Sequence, residues 1–253
     1  MILKRKERVI INFLIIIQEK MNRDKLLKQW LPENISLNPI GDDAEKIWIE
    51  DFNEMYPKFF DSVMEIQKAD ISSLRGYGEL GDDNQPQYAS FHEFITETFA
   101  DDREDYWKNW RELFDTSMMT REFFEMYYDK MLYYSKYCEN QRYLTNNNLF
   151  FGNLVIMNAS VGFVDWDRVA VTDWLIDFAC MDLHRPYFQI PEKLRLYLQE
   201  KGIQTENFKE RFLCVAYYKG LDVLRWHASI QDDVSCKTIM ESISNLEERI
   251  LNL

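Results

Sequence analysis

The sequence NNNLFFGN at residues 146–153 is followed, after a short apolar segment, by VDW at 164–166. The apolar spacing typical of helices disappears over residues 144–165. Two short β-type runs, Leu154–Met157 and Val161–Val164, follow the asparagine cluster and are separated by Asn-Ala-Ser, which favours a turn. The pattern predicts a small β-hairpin inside an otherwise helical chain.

The composition of the rest of the chain favours helices. The 253 residues include only 8 Gly and 6 Pro, and breakers this scarce disfavour a sheet-rich fold. A hydrophobic content of 46% excludes global disorder. We therefore expect a mainly α protein with a small β-hairpin, of the α+β class. Helical spacing predicts helices over residues 24–30, 42–70 with a break or kink at Pro57, 103–114, 120–137, 173–182, 192–201, 206–228 and 234–251, and a capping box of Ser90 and Glu93 predicts one more.

Charge and cysteine content narrow the class of protein. Thirty basic and 43 acidic residues give a formal charge of −13, which argues against a nucleic-acid partner and is compatible with a cationic ligand. The four cysteines are widely spaced and include no CxxC pair. A disulfide framework is not expected in a chain of this length, so the cysteines predict reduced thiols and a cytoplasmic location.

The amino terminus has the outline of a signal peptide, with basic residues before the apolar run Val9–Ile17. No small-residue cleavage site follows, and the run is shorter than the roughly 18–20 residues that cross a bilayer. Because Ile15, Ile16 and Ile17 are β-branched, we expect a buried strand and no membrane partner.

The central stretch resembles the aminoglycoside phosphotransferase family, and within it the hygromycin B phosphotransferases. The catalytic loop of that family reads His-Gly-Asp, four further residues and Asn, and is followed by a hairpin, Asp-Trp and a helix. Asn153 matches the Asn of the loop, and Asp165-Trp166 match the Asp-Trp pair. The positions that fit the following helix are Asp173, Asp177 and Ala179, with Thr172 in place of the usual Gly.

The likeness extends upstream of the loop. GYG at 76–78 and YASFHEF at 88–94 resemble a Gly-aromatic-Gly loop and the helix after it in the hygromycin enzymes. The resemblance therefore covers about residues 24–186 and implies the large, helical lobe of a protein-kinase-like fold.

The resemblance also implies site residues and cofactors. Asn153 and Asp165 match the family's Mg²⁺ ligands, and an active enzyme of this kind uses Mg²⁺ and ATP. Asn148 stands where the family has its catalytic Asp. Since a carboxamide cannot accept a proton near pH 7, and general-base catalysis contributes about 10²–10⁴-fold, we expect absent or weak catalysis.

A second departure concerns the small lobe. Val9–Ile17 resembles the last strand of that lobe, and no strand Lys or partner Glu precedes Met21. The resemblance therefore implies a remnant small-lobe strand and hinge at residues 1–21 and a helical large lobe at 22–253. We expect Asn148→Asp alone not to restore full activity, and an uncovered small-lobe face to allow self-association.

Three functions remain open from the sequence. The first is a degenerate or truncated aminoglycoside phosphotransferase that retains a cleft for a cationic small molecule. The second is an active ATP-dependent phosphotransferase of small molecules. The third is a pseudokinase-like binding module without catalysis or cofactor. For Asn153 and Asp165, the alternative to a site is a purely structural turn.

Other motifs predict structure more than chemistry. Residues 76–81 match GxGxxG, but no strand is evident before them and Asp82 and Asp83 follow, so a surface loop is favoured over a phosphate site. Isolated histidines are more often packed or solvated than catalytic, and the tyrosines of residues 127–137 are typical of a core stripe. The histidines are His92, His184 and His227.

Overall fold

The structure, a computed structural model, describes residues 42–157, 160–163 and 165–253. The predicted strand Val9–Ile17, the predicted helix at 24–30 and the predicted lobe boundary at 21–22 lie outside these residues. The helices are α1 (Asp42–Ile66), α2 (Phe91–Glu97), α3 (Leu113–Thr116), α4 (Arg121–Ser135), α5 (Leu175–His184), α6 (Ile190–Glu200), α7 (Phe208–Ser229) and α8 (Asp233–Leu251). The strands are β1 (Tyr77–Leu80), β2 (Pro86–Tyr88), β3 (Tyr143–Thr145), β4 (Leu154–Met157), β5 (Ser160–Phe163) and β6 (Ala170–Thr172).

Helix α7 lies at the centre of the described core and packs against α4, α5 and α8. Nearly all of its side chains are buried, including large apolar ones such as Phe212, Tyr217 and Tyr218. The same helix also buries charged side chains, which a helix surrounded by others tolerates only when they are paired. The expected mainly helical α+β fold is confirmed in the described part of the chain.

The sheet content is larger than the sequence indicates. Residues 76–87, expected to form a loop, contain β1 and part of β2. They join β6 and β3 in a four-stranded antiparallel sheet of order β2-β1-β6-β3. Gly76 has a φ of +91°, and a Cβ there would lie 2.2 Å from the carbonyl oxygen of Tyr88. The close approach of the chain to Tyr88 therefore explains why residue 76 is glycine, and no bound phosphate is needed to explain it.

The predicted hairpin is confirmed. Strands β4 and β5 pair antiparallel, with Leu154 opposite Phe163 and Met157 opposite Ser160. The hairpin packs on α1, where the rings of Phe59 and Phe163 meet edge to face at 5.8 Å. The hydroxyl of Ser62 donates a hydrogen bond to the carbonyl of Val161 at 2.7 Å, which fixes the hairpin against the helix.

The predicted helix at 103–114 is wrong for most of its length. Only a 3₁₀ turn at Trp110–Glu112 and the short α3 form there. The carboxylate of Asp105 accepts a bond from the Trp107 backbone N–H at 2.9 Å, and Asn109 has a φ of 60°. Local side-chain bonding of this kind competes with helical hydrogen bonds.

The proline in α1 and the cap of α2 are closer to what the sequence predicts. Helix α1 continues through Pro57, so the proline neither ends nor divides it. At α2, Ser90 Oγ accepts a bond from the Glu93 N–H at 3.0 Å, as the capping box predicts. The Glu93 carboxylate accepts its bond from Ala89 N–H instead of from the cap residue.

Candidate functional site

The asparagine loop leaves the end of β3 and leads to β4. Asn146 and Asn147 are buried, and a three-residue 3₁₀ turn at Phe151–Asn153 closes the loop. Asn147 has a φ of 59°, in the left-handed region where asparagine is among the few non-glycine residues found regularly. The loop therefore turns sharply at the position where the family that the sequence resembles has glycine.

Asp177 on α5 holds the start of this loop. Its carboxylate accepts bonds from the backbone N–H groups of Asn146 at 3.0 Å and Asn147 at 2.8 Å. Burial raises the pKa of Asp177 to about 6, although these two bonds and the positive charge of Lys219 oppose the rise. A buried carboxylate with two backbone donors fixes the direction in which the chain enters the loop.

The first turn of α5 is fixed by a buried ion pair. The guanidinium of Arg211 on α7 donates to both oxygens of Asp173, at 2.6 and 2.8 Å. One of those oxygens also accepts a bond from the Leu175 N–H at 3.0 Å. The pair joins α7 to the start of α5, and so holds the helix that carries Asp177.

Asn153 lies at the end of the loop and is fully buried. Its Nδ2 donates to the carbonyl of Asn148 at 3.2 Å, and its Oδ1 has no hydrogen-bond partner among the described residues. Asn148 is half-buried, and its backbone N–H donates to Asn146 Oδ1 at 3.2 Å. A buried oxygen without a protein donor can accept a bond from an ordered water or bind a cation.

Asp165 is joined to the same loop through its backbone. Its carbonyl accepts a bond from Asn146 Nδ2 at 2.9 Å, and its φ of 61° is left-handed. Trp166 anchors the segment by donating from Nε1 to the carbonyl of Phe163 at 3.0 Å. The Asp165 carboxylate is half-buried and has no hydrogen-bond or ion-pair partner among the residues the structure covers.

The donor set fits Mg²⁺, which prefers carboxylate and amide oxygens. The orphaned oxygen of Asn153 is the observation that supports this fit. Over the described ranges there is no group of three or more His, Cys, Asp or Glu side chains that could hold a metal. Any Mg²⁺ held by Asn153 and Asp165 would therefore complete its shell with water or ligand oxygens.

A polar network connects the loop to strand β1. Glu79 Oε1 accepts a bond from Asn147 Nδ2 at 3.0 Å and another from Arg168 Nε at 2.8 Å. Arg168 follows Asp165 by three residues, so Glu79 links the asparagine loop to the Asp-Trp segment. Glu79, the acidic residue of the GxGxxG motif, is therefore bonded to both Asn147 and Arg168.

Charged residues of α7 lie on the other side of the loop. Lys219 Nζ donates to the Asn147 carbonyl at 2.8 Å and to Asp222 at 3.3 Å. Asp222 is also paired with Arg168 at 3.2 Å and Arg225 at 3.0 Å. Burial alone would raise the pKa of Asp222, but these three cations hold it well below its usual range.

Sequence reasoning missed this network. Asp173 and Asp177 were identified through the family resemblance, whereas Glu79, Lys219 and Asp222 were not. A signal was present in KGLDVLR at residues 219–225, where charges recur every three residues within an apolar helix. Charges at that spacing share a helix face and indicate a buried ionic cluster.

The histidines are packed near other groups. His92 Nδ1 lies 3.0 Å from Ser135 Oγ, and His227 Nδ1 lies 3.2 Å from the carboxylate of Asp232. Burial, helped by nearby positive charges, lowers the pKa of His184 to about 4. These contacts favour the packed interpretation over a catalytic one.

Two cavities of the described region lie away from the asparagine loop. They are lined by residues of α1 and α6 with Tyr143, and by residues of the α6–α7 segment, and neither includes the asparagine loop. A ligand cleft beside the loop therefore stays a prediction. No helix in the described ranges is both long and apolar enough to cross a membrane.

Comparison with known proteins gives a clear result only at the level of structure. No family model and no curated protein matches the chain. The structure of aminoglycoside phosphotransferase APH(4)-Ia is similar, with a TM-score of 0.64 and 16% identity over 81% of this chain and 67% of that chain. A thermostable mutant of that enzyme, in a ternary complex with AMP-PNP and hygromycin B, is similar with a TM-score of 0.64 and 16% identity, over 81% of this chain and 68% of that chain.

A third structure aligns over more of both chains. It is a thermostable mutant of the same enzyme in a ternary complex with ADP and hygromycin B, with a TM-score of 0.65 and 15% identity over 90% of this chain and 81% of that chain. At such identity the likeness establishes the fold, which is that of the kinase-like aminoglycoside phosphotransferases.

Proposed function

We propose that this chain is a degenerate aminoglycoside phosphotransferase, similar to the hygromycin B enzymes, that binds a cationic small molecule and phosphorylates it slowly or not at all. The shared fold and the matched loop residues support this proposal. Because the structural relatives were captured with hygromycin B and with AMP-PNP or ADP, an aminoglycoside and ATP are the first ligands to test.

The carboxamide of Asn153 is the observation that carries the proposal. Its nitrogen is occupied by the Asn148 carbonyl, whereas its buried oxygen has no partner among the described residues. A purely structural turn would gain by pairing that oxygen, since a buried unpaired acceptor costs about 1–3 kcal/mol. Together with the unpaired carboxylate of Asp165, the arrangement favours a cation site.

Asn153 and Asp165 are the residues that would hold Mg²⁺. When bound, Mg²⁺ would supply charge neutralisation for the phosphate oxygens of ATP. The protein contributes a loop whose first two backbone N–H groups are held by Asp177, and the carboxamide of Asn153, whose nitrogen donates to the Asn148 carbonyl.

Asn148 accounts for the impaired catalysis. In the family's register it occupies the place of the carboxylate that orients the attacking hydroxyl and accepts its proton. A carboxamide can still orient a hydroxyl through a hydrogen bond, but it cannot take the proton near pH 7. The loss of a general base lowers the rate by about 10²–10⁴-fold.

The charge of the chain supports a cationic ligand. A formal charge of −13 attracts an ammonium-bearing sugar at long range and repels free polyanions. Net charge does not select one sugar over another, so hygromycin B serves as a representative of its class.

The proposal is tested by calorimetric titration with hygromycin B in the presence of Mg²⁺ and AMP-PNP, followed by incubation with MgATP and mass spectrometry of the sugar. We expect binding of hygromycin B, no binding of a neutral disaccharide, and no phosphorylated product above the blank. Binding with rapid product formation would support an active phosphotransferase instead. The absence of both would leave the pseudokinase-like binding module as the better account.

A further inference from the structure

Lys219 is fully buried, and the negative charge of its neighbour Asp222 is already neutralised by two arginines. Asp222 is already paired with the guanidinium groups of Arg168 and Arg225, and it lies 3.3 Å from Lys219 Nζ. The shorter contact of the ammonium, at 2.8 Å, is with the carbonyl of Asn147 in the asparagine loop. Burying an ammonium group is unfavourable unless its bonds offset the loss of water, so the loop contact is the significant one.

Several polar groups of the loop backbone have separate partners. Asp177 accepts from the N–H groups of Asn146 and Asn147, and Asn146 Oδ1 accepts from the N–H of Asn148. The Asn148 carbonyl receives the amide of Asn153. Among the described residues, the Asn147 carbonyl accepts its bond from Lys219 Nζ.

The Asn147 carbonyl belongs to the peptide that joins Asn147 to Asn148. Rotation of this peptide would turn the backbone of Asn148 and move the carbonyl that Asn153 Nδ2 contacts. Asn147 also has a left-handed φ of 59°, a conformation that the surroundings must maintain. A donor fixed on a central helix stops this rotation.

We propose that Lys219 is a positioning residue of the loop, which acts through the Asn147 carbonyl to keep the Asn153 carboxamide bonded to Asn148 with its oxygen free for a cation. This inference rests on the proposed function only for the role of that oxygen. The positioning itself is a property of the chain without any ligand.

The test compares Lys219→Met with Arg225→Met. Both variants remove one buried cation from Asp222 on the same helix, but only the first removes a bond to the loop, since Arg225 donates to the Thr98 carbonyl. The first readout is hydrogen exchange of the Asn153 side-chain amide, observed by NMR with ¹⁵N-asparagine and assigned by its loss in Asn153→Ala. The second is Mn²⁺ affinity in the presence of AMP-PNP, measured by electron paramagnetic resonance.

We expect Lys219→Met to accelerate exchange at the Asn153 amide by about tenfold or more, the ratio that a charge-assisted hydrogen bond supports. Its Mn²⁺ affinity should fall by a comparable factor, while Arg225→Met stays close to the unmodified protein in both readouts. Equal exchange in the two variants would overturn the positioning role.

The two readouts separate the cation site from the positioning role of Lys219. If Mn²⁺ does not bind the unmodified protein but exchange still separates the two variants, the positioning stands and the cation site falls. If Lys219→Met does not fold, Lys219→Gln retains an N–H for the Asn147 carbonyl and should keep the Asn153 amide protected. Loss of protection in a folded Lys219→Gln protein would contradict the inference.

Discussion

Replacing Arg211 with methionine leaves the buried carboxylate of Asp173 without its cation. The two side chains are 3% and 0% exposed, and two charge-assisted bonds of 2.6 and 2.8 Å join them. After the replacement, the Asp173 carboxylate keeps the bond from the Leu175 N–H at 3.0 Å. Methionine fills similar volume, so the change tests the charge more than the packing.

The expected loss of unfolding free energy follows from this geometry. Removing one partner of a buried ion pair typically costs about 3–5 kcal/mol, because the other charge stays buried without compensation. Arg211 also donates to the Glu206 carbonyl at 3.2 Å, a bond worth about 1 kcal/mol. We expect a loss of about 3–5 kcal/mol, since part of the penalty is relieved when water or a proton reaches Asp173.

Urea unfolding followed by tryptophan fluorescence measures this loss. The matched control is the double variant Asp173→Asn with Arg211→Met, which removes both charges and should recover a large part of the lost stability. A loss of less than about 1 kcal/mol in Arg211→Met would show that the ion pair does not stabilise the fold in this way, as would a double variant less stable than the single one.

Three further outcomes are expected. Gly76→Ala places a Cβ 2.2 Å from the Tyr88 carbonyl oxygen and should cost at least about 2 kcal/mol in urea unfolding, whereas Gly202→Ala, at a φ of +67° with no atom within 4 Å of its Cβ, should cost only about 1 kcal/mol. Between pH 6.5 and about 4 the unfolded chain binds a proton that folded His184 does not, so this histidine lowers the free energy of unfolding as the pH falls, while Asp177, with its raised pKa, acts in the opposite direction. The contribution of His184 should be about 2 kcal/mol after allowance for partial exposure, and it is read as the difference between the unmodified protein and His184→Gln in urea titrations at several pH values. Asn153→Ala should lower Mn²⁺ affinity with AMP-PNP by about tenfold, read by electron paramagnetic resonance, and an unchanged affinity would contradict the cation site.

Regular elements of this fold were predictable where one periodicity extends over many residues. Helices α4, α7 and α8 follow apolar spacing of 15 to 22 residues, and their observed ends differ from the predicted ones by a few residues. The β4–β5 hairpin was predictable because β-branched and apolar residues flank a short polar turn. Local sequence carries this information.

The four-stranded sheet was not predictable from local pattern. Its strands have only three or four residues each, and β1 contains glycine where a strand former is expected. The pairing of β1 with β6 joins segments about ninety residues apart, which periodicity does not report. The glycines at 76 and 78 were therefore interpreted as part of a loop, because their close approach to Tyr88 depends on the tertiary structure and leaves no mark in the local sequence.

The sequence predicted the residues of the candidate site better than the side chains that hold them in place. Asn148, Asn153 and Asp165 were found from spacing and resemblance, and the structure connects all three to the asparagine loop through backbone or carboxamide bonds. Their roles as base position and metal ligands stay predictions. Lys219 contacts the loop from 72 residues away, and such a contact depends on the packing of α7 and not on any motif.

In the proposed function, the carboxamide of Asn148 takes the place of a catalytic carboxylate and slows phosphoryl transfer. The most direct measurement is the rate at which MgATP phosphorylates hygromycin B, compared side by side for the unmodified protein and Asn148→Asp. We expect the unmodified protein to be at least about 100-fold slower, since only the variant has a carboxylate to accept the proton. Equal rates for the two proteins would show that Asn148 does not limit the reaction.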